Sequence, residues 1–158
     1  MNKILTTIII TLLTFTLLSC SYEPIFKEKN YNFEIETITL TGEKDTNKII
    51  KNRLNLIKKS NNNIKRKFDV TINSKKKRKI ISKDSQGDPL KFDLILTVDY
   101  IVKEKNKLLL NRKIIKQYSY DNDTDKFKLE QKESIILENL SEQISTFMIS
   151  SIINLNDS

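Results

Sequence analysis

Phe92-Asp93-Leu94-Ile95-Leu96-Thr97-Val98-Asp99-Tyr100-Ile101-Val102 is the longest run of strict alternation in the chain. Phe92, Leu94, Leu96, Val98, Tyr100 and Val102 recur every second residue, which puts them on one side of an extended strand and aims them at a core. A short polar break at 103–107 follows, so the next strand, over 108–117, pairs antiparallel with it as a hairpin. On the other side, Asp84, Ser85, Gln86, Gly87, Asp88 and Pro89 make a loop. Before that loop Phe68, Val70 and Ile72 alternate with Asp69, Thr71 and Asn73, the pattern of a half-buried strand.

Working outward, Phe33, Ile35 and Thr37 alternate until Ile38 and Leu40 change phase, which predicts one strand with a bulge or an early end. Residues 42–45 are turn-like, and Asp45 or Thr46 can cap a helix by accepting from a free backbone N–H. Ile49, Ile50, Arg53, Leu54 and Ile57 stack on one face of that helix, which should end near Ser60. Asn61, Asn62 and Asn63 tolerate a left-handed exit where glycine is usual. After the hairpin, Tyr118, Ser119, Tyr120 and Asp121 lead into a polar loop reaching Asp125. A long helix then runs to about Ile153, with Ile136, Leu140, Ile144, Phe147, Met148, Ile152 and Leu155 as its buried stripe. The order β-α-β-β-β-α predicts an α+β fold, a two-layer sandwich of a four-stranded mixed sheet with two helices on one face. No internal repeat or second domain is visible.

The N-terminus has a different character. Lys3 precedes an apolar stretch at 4–18, and Leu17, Leu18 and Ser19 lead to Cys20, the single cysteine of the 158 residues. This is the pattern of a secretory signal ending at a lipidation site. The stretch is shorter than the roughly 20 apolar residues of a transmembrane helix. The expected organisation is a lipoprotein signal peptide at 1–19, a lipidated extended tether at 20–32 and a single α+β domain at 33–158. The thiol of Cys20 would carry diacylglycerol and its freed amine a further acyl chain of the palmitate type. At roughly 0.8 kcal/mol per buried methylene, and with more than one chain, such an anchor holds a domain durably at a membrane. Ser21 stands where an aspartate would retain an enterobacterial lipoprotein at the inner membrane, so the expected destination is the outer membrane, facing the periplasm.

Composition narrows the chemistry. Histidine is absent, which removes imidazole bases and histidine metal sites, and lipid on Cys20 would remove thiol chemistry. Gly42 and Gly87 stand alone, so no glycine-rich phosphate loop is present, and no cofactor, metal site or catalytic residue is predicted. Asp121, Asp123 and Asp125 lack the glycine turn and terminal glutamate of a calcium loop and suit a helix-capping role instead. With Lys3 removed, 27 basic side chains face 20 acidic ones, a net charge of +7 in place of +8. Anionic partners are favoured, and the compartment argues against nucleic acid.

The residues around the anchor resemble the LPS-assembly lipoprotein family, LptE, in its alphaproteobacterial form. Cys20, Tyr22, Pro24, Ile25 and Phe26 fit that family's start, with Ser21 in place of the usual glycine. Ser119, Tyr120 and Asp121 look like its Ser-Tyr-Asp before the C-terminal helix, and Gly87 and Pro89 ahead of Val98 and Tyr100 are also similar. The C-terminal helix departs from it, carrying Ile, Leu and Ser where typical members are rich in Ala and Arg. The resemblance implies a non-enzymatic outer-membrane subunit of the lipopolysaccharide translocon, plugging an LptD-type β-barrel and assisting its assembly. The alternative is a lipid-anchored auxiliary subunit of an ABC-type lipid transport system.

Two basic clusters are candidate lipopolysaccharide-binding residues: Lys75, Lys76, Lys77, Arg78 and Lys79 at the end of a strand, and the weaker pair Arg112 and Lys113 on the hairpin. Clustered Lys and Arg hold phosphates through charge-assisted hydrogen bonds. The same run also has a structural reading, a solvated strand end that blocks edge-to-edge pairing. Tyr118 and Tyr120 either line a partner contact or close the sheet edge against the long helix.

Overall fold

The computed structural model describes residues 33–57 and 66–156. Cys20, the 20–32 tether and the Asn61, Asn62 and Asn63 exit lie outside the described residues. Four strands and two helices follow in the order β1 (Phe33–Gly42), α1 (Lys44–Leu56), β2 (Arg66–Lys83), β3 (Pro89–Glu104), β4 (Lys107–Asp121) and α2 (Lys126–Asn156). The sheet order is β1-β2-β3-β4, with β1 parallel to β2 and the other two pairs antiparallel. This is the expected four-stranded mixed sheet of an α+β fold.

Phe92, Leu94, Leu96, Val98, Tyr100 and Val102 are all buried, and their alternates on β3 are half-exposed. One side of the sheet therefore packs under the helices and the other meets solvent. Phe33, Ile35, Phe68, Val70 and Ile72 join the core from β1 and β2. The phase change in β1 is a bulge: the register with β2 slips between Ile35 and Thr37, which turns Ile38 and Leu40 back toward the core side. Lys105 and Asn106 both take positive φ, 47° and 68°, so the β3–β4 break is a tight two-residue turn that closes on the pair Glu104 and Lys107.

Several boundaries differ from expectation. Strand β2 runs on to Lys83, β3 starts at Pro89 and β4 continues through Tyr118, Ser119 and Tyr120 to Asp121. Pairing is a backbone property, and these stretches stay paired although their side chains no longer alternate in polarity. The basic run at 75–79 is therefore in the middle of a strand, not at its end. Helix α1 is capped by Glu43, whose carboxylate accepts from the Thr46 N–H at 2.7 Å, in place of Asp45 or Thr46. It stops at Leu56, short of Ser60, where the Ile57 N–H bonds the Leu54 carbonyl and the Ile57 side chain drops into the core.

The stripe of α2 is also wider than one face. Ile136, Leu140, Ile144, Met148 and Ile152 are buried as expected, and Leu129, Leu137 and Ile149 are buried with them. Phe147 is 47% exposed and Leu155 only half-buried. The helix touches two neighbours, the sheet and α1, so its contact surface spans more than a single-face stripe. Ser141 and Ser145 are fully buried, and each hydroxyl donates to the carbonyl four residues back, Leu137 and Ser141, at 2.7 Å. Small side chains that satisfy themselves let α2 lie close to α1. Arg53, on the predicted stripe of α1, spans this junction with a forked ion pair to Glu142.

Candidate anion-binding site

Because β2 is extended through its basic run, successive side chains point to opposite sides of the sheet. Lys76 and Arg78 share the helix side with Phe68, Val70, Ile72 and Ser74, and both are engaged there. Lys76 reaches Glu43 at 3.9 Å. Burial works to raise the Glu43 carboxyl, but the hydrogen bonds from Thr46 and the charge of Lys76 together hold it below its usual range. The guanidinium of Arg78 meets Glu133 of α2 at 2.9 Å and lies 4.7 Å over the Phe92 ring. Tyr120 donates to the same Glu133 oxygen at 2.6 Å, and burial followed by that carboxylate pushes its phenol well above its ordinary value. Arg78, Tyr120, Glu133 and Phe92 thus tie β2, β3 and β4 to α2.

Lys75, Lys77 and Lys79 project from the solvent side. Their cross-strand neighbours on β3 are Thr97, Ile95 and Asp93, and none of the three lysines makes an ion pair among the described residues. Alternate residues on a strand are about 6.6 Å apart, so the three ammonium groups form a ladder about 13 Å long. Asp93, directly across from Lys79, already accepts from Ser119 at 2.5 Å, and Asp99, diagonal to Lys75, is paired with Lys113. Three uncompensated donors in a row can hold phosphates spaced along an anionic ligand.

The run starts where β1 stops. The last β1–β2 pair is Gly42 with Ser74, so from Lys75 onward β2 has no neighbour on that side among the described residues. A polar knot closes the end of β1 at this point. The Ser74 hydroxyl donates to Asn47 Oδ1 at 2.8 Å, the Asn47 amide donates to the Thr41 carbonyl at 2.9 Å, and the Glu43 N–H bonds the Ser74 carbonyl at 3.1 Å. Sequence reading missed these residues. The available signal was Ser74, a small polar residue in the buried phase set by Phe68, Val70 and Ile72.

The second basic pair is divided as well. Arg112 pairs across from Tyr100 and lies on the helix side, while Lys113 lies on the solvent side and binds Asp99 at 3.4 Å. The seven predicted residues are thus split over two faces, and the structure brings together only Lys75, Lys77 and Lys79 as a free cluster. Of the two tyrosines, Tyr120 closes the sheet against α2, and Tyr118 is 55% exposed. Asp125 caps α2 as expected, its carboxylate accepting from Phe127 and Lys128 N–H at 3.0 and 3.2 Å. Among the described residues no group of acids is arranged to hold a metal ion, and no helix is long and apolar enough to cross a membrane.

Fold and site together define a small α+β module with a cationic strand. Among solved structures its fold is similar to that of a rare lipoprotein B from Shewanella oneidensis, with TM-score 0.54 and 18% identity over 76% of this chain and 98% of that one. It is also similar to an uncharacterized lipoprotein B from Nitrosomonas europaea, with TM-score 0.52 and 13% identity over 80% of this chain and 88% of that one. No protein-family model matches the chain, and no curated protein sequence matches it significantly.

Proposed function

We propose that this chain is a lipid-anchored, non-enzymatic outer-membrane lipoprotein of the lipopolysaccharide translocon. Cys20 carries the anchor, the domain seats in an LptD-type β-barrel as a plug and assembly partner, and lipopolysaccharide phosphates meet Lys75, Lys77 and Lys79. One observation carries the reading: the domain after the signal-like leader has the fold of two solved bacterial lipoproteins. The motif resemblance to LptE around Cys20 and at Ser119, Tyr120 and Asp121 supports the more specific role. A barrel lumen is polar and water-bearing, so a module with charged faces lodges there without exposing apolar surface to water.

Pull-down of the tagged full chain from detergent-solubilised envelope, followed by mass spectrometry, tests the proposal. Recovery of an outer-membrane β-barrel is the expected result. Recovery of an ATPase and permease instead would establish the ABC-type alternative. Mass analysis of the purified product should show a diacylglycerol on Cys20 and loss of residues 1–19. For the ligand, the glutamine triple variant at Lys75, Lys77 and Lys79 should bind lipopolysaccharide more weakly and with a shallower salt dependence. Equal binding by the variant at every salt concentration would remove lipopolysaccharide from the reading.

A further inference from the structure

Among the described residues strand β4 is the outer edge of the sheet along its whole length. Its 15 residues pair with β3 and, among the described residues, with no second strand. Such an edge presents a row of backbone N–H and C=O groups ready to pair with another extended chain. The helix-facing side of β4 presents Arg112, Ile114, Lys116, Tyr118 and Tyr120 in alternation. Arg112 and Lys116 are exposed, and neither forms an ion pair among the described residues, in contrast to Lys113 with Asp99. Next to them a cleft of about 980 Å³ opens between the Tyr118–Asp121 end of the strand and the flank of α2. Ile135 of α2 and Tyr118 stand 54% and 55% exposed at its mouth.

We propose that the β4 edge is a docking site for an extended acidic segment of a protein partner, added to the sheet as a fifth strand. Residues directly opposite in an antiparallel pair share a face about 4.5–5.5 Å apart, so charges on the incoming segment meet those of β4 one by one. Carboxylates four positions apart would face Arg112 and Lys116, and an apolar side chain two positions further, across from Tyr118, would enter the cleft between Tyr118 and Ile135. Main-chain hydrogen bonds supply affinity and the alternate side chains supply selectivity. A second copy of this chain meets like charges in several registers on the same edge, though not when centred on Asn111 or Ile115, and dependence on protein concentration distinguishes it. Antiparallel self-pairing centred on Lys113, Ile114 or Lys116 sets like charges against each other.

The proposal is independent of the translocon reading and is tested without a barrel or lipopolysaccharide. The full chain, in mild detergent, is titrated with a fluorescent peptide of about eleven residues, alternating valine and threonine with glutamates four positions apart. Saturable binding is expected, with slowed hydrogen exchange confined to amides of 107–121 and weakening as salt rises. The Arg112→Glu/Lys116→Glu variant should bind about tenfold more weakly, because two attractive pairs become repulsive. The Lys44→Glu/Lys51→Glu variant, which makes the same charge change at exposed positions of α1, should bind as the parent does. Circular dichroism checks that each variant is folded, and a peptide with lysine in place of glutamate, which should not bind, gives the same discrimination on the unaltered chain. No binding, equal binding of the lysine peptide, or protection outside β4 would overturn the proposal. So would β4 protection that grows with protein concentration alone, the mark of a second copy, or peptide displacement by a single-chain lipid, the mark of an acyl ligand in the cleft.

Discussion

Gly42 ends β1 with φ at +93°, and a Cβ built there would stand 1.9 Å from the Ser74 carbonyl oxygen. Both the backbone angle and the contact require glycine. The left-handed angle alone costs an L residue about 1–2 kcal/mol and the backbone clash adds to it, so Gly42→Ala should lose more than about 2 kcal/mol in urea denaturation. Gly87 has a similar φ of +94° but open space around it, so its alanine variant should show the backbone cost alone. Tyr100 presents the opposite case. It is fully buried, and its hydroxyl has no hydrogen-bond partner among the described residues. Tyr100→Phe removes the unsatisfied group with little change of shape and should raise stability by about 1 kcal/mol in the same assay.

At the scale of the element, β2 assigns different work to adjacent residues of one basic run. Lys76 and Arg78 hold the strand to α1 and α2, while Lys75, Lys77 and Lys79 line the solvent side where β1 no longer covers the edge. Arg78→Gln, which breaks a half-exposed ion pair and a ring contact, should cost about 0.5–1 kcal/mol in thermal or urea unfolding. Replacing Lys75, Lys77 and Lys79 with threonine should change stability by less than about 0.5 kcal/mol. The same triple variant should self-associate, seen as rising light scattering with concentration, because a bare strand edge has lost its charges. Edge protection and anion binding are compatible uses of the same three side chains.

Across the whole molecule, carboxylates join elements distant in sequence. Glu43 ties the start of α1 to β2, and Glu104 of β3 forks to Arg66 at 3.0–3.1 Å, where Arg66 also holds the Leu155 carbonyl near the end of α2. Hydrogen bonds from Arg66 hold the Glu104 carboxyl below its usual range, as Thr46 and Lys76 do for Glu43. Folded values below the usual 4.5 mean that this stabilisation is complete above about pH 4.5 and is lost as pH falls through the lowered values. Urea midpoints should therefore fall on acidification from pH 5 to pH 3, and less steeply in Glu43→Gln. The sequence by itself determined the order of elements, the mixed sheet, the core face of β3 and the phase change in β1, which the register with β2 resolved as a bulge and not an early end. Each rests on a local period or a short connection, and burial follows such patterns directly. Tertiary structure alone decided the strand ends, the knot around Ser74, the wide contact surface of α2 and the division of the basic run. Those depend on which neighbour lies across the sheet or the helix, and where β1 ends beside Ser74 decides which lysines are left free.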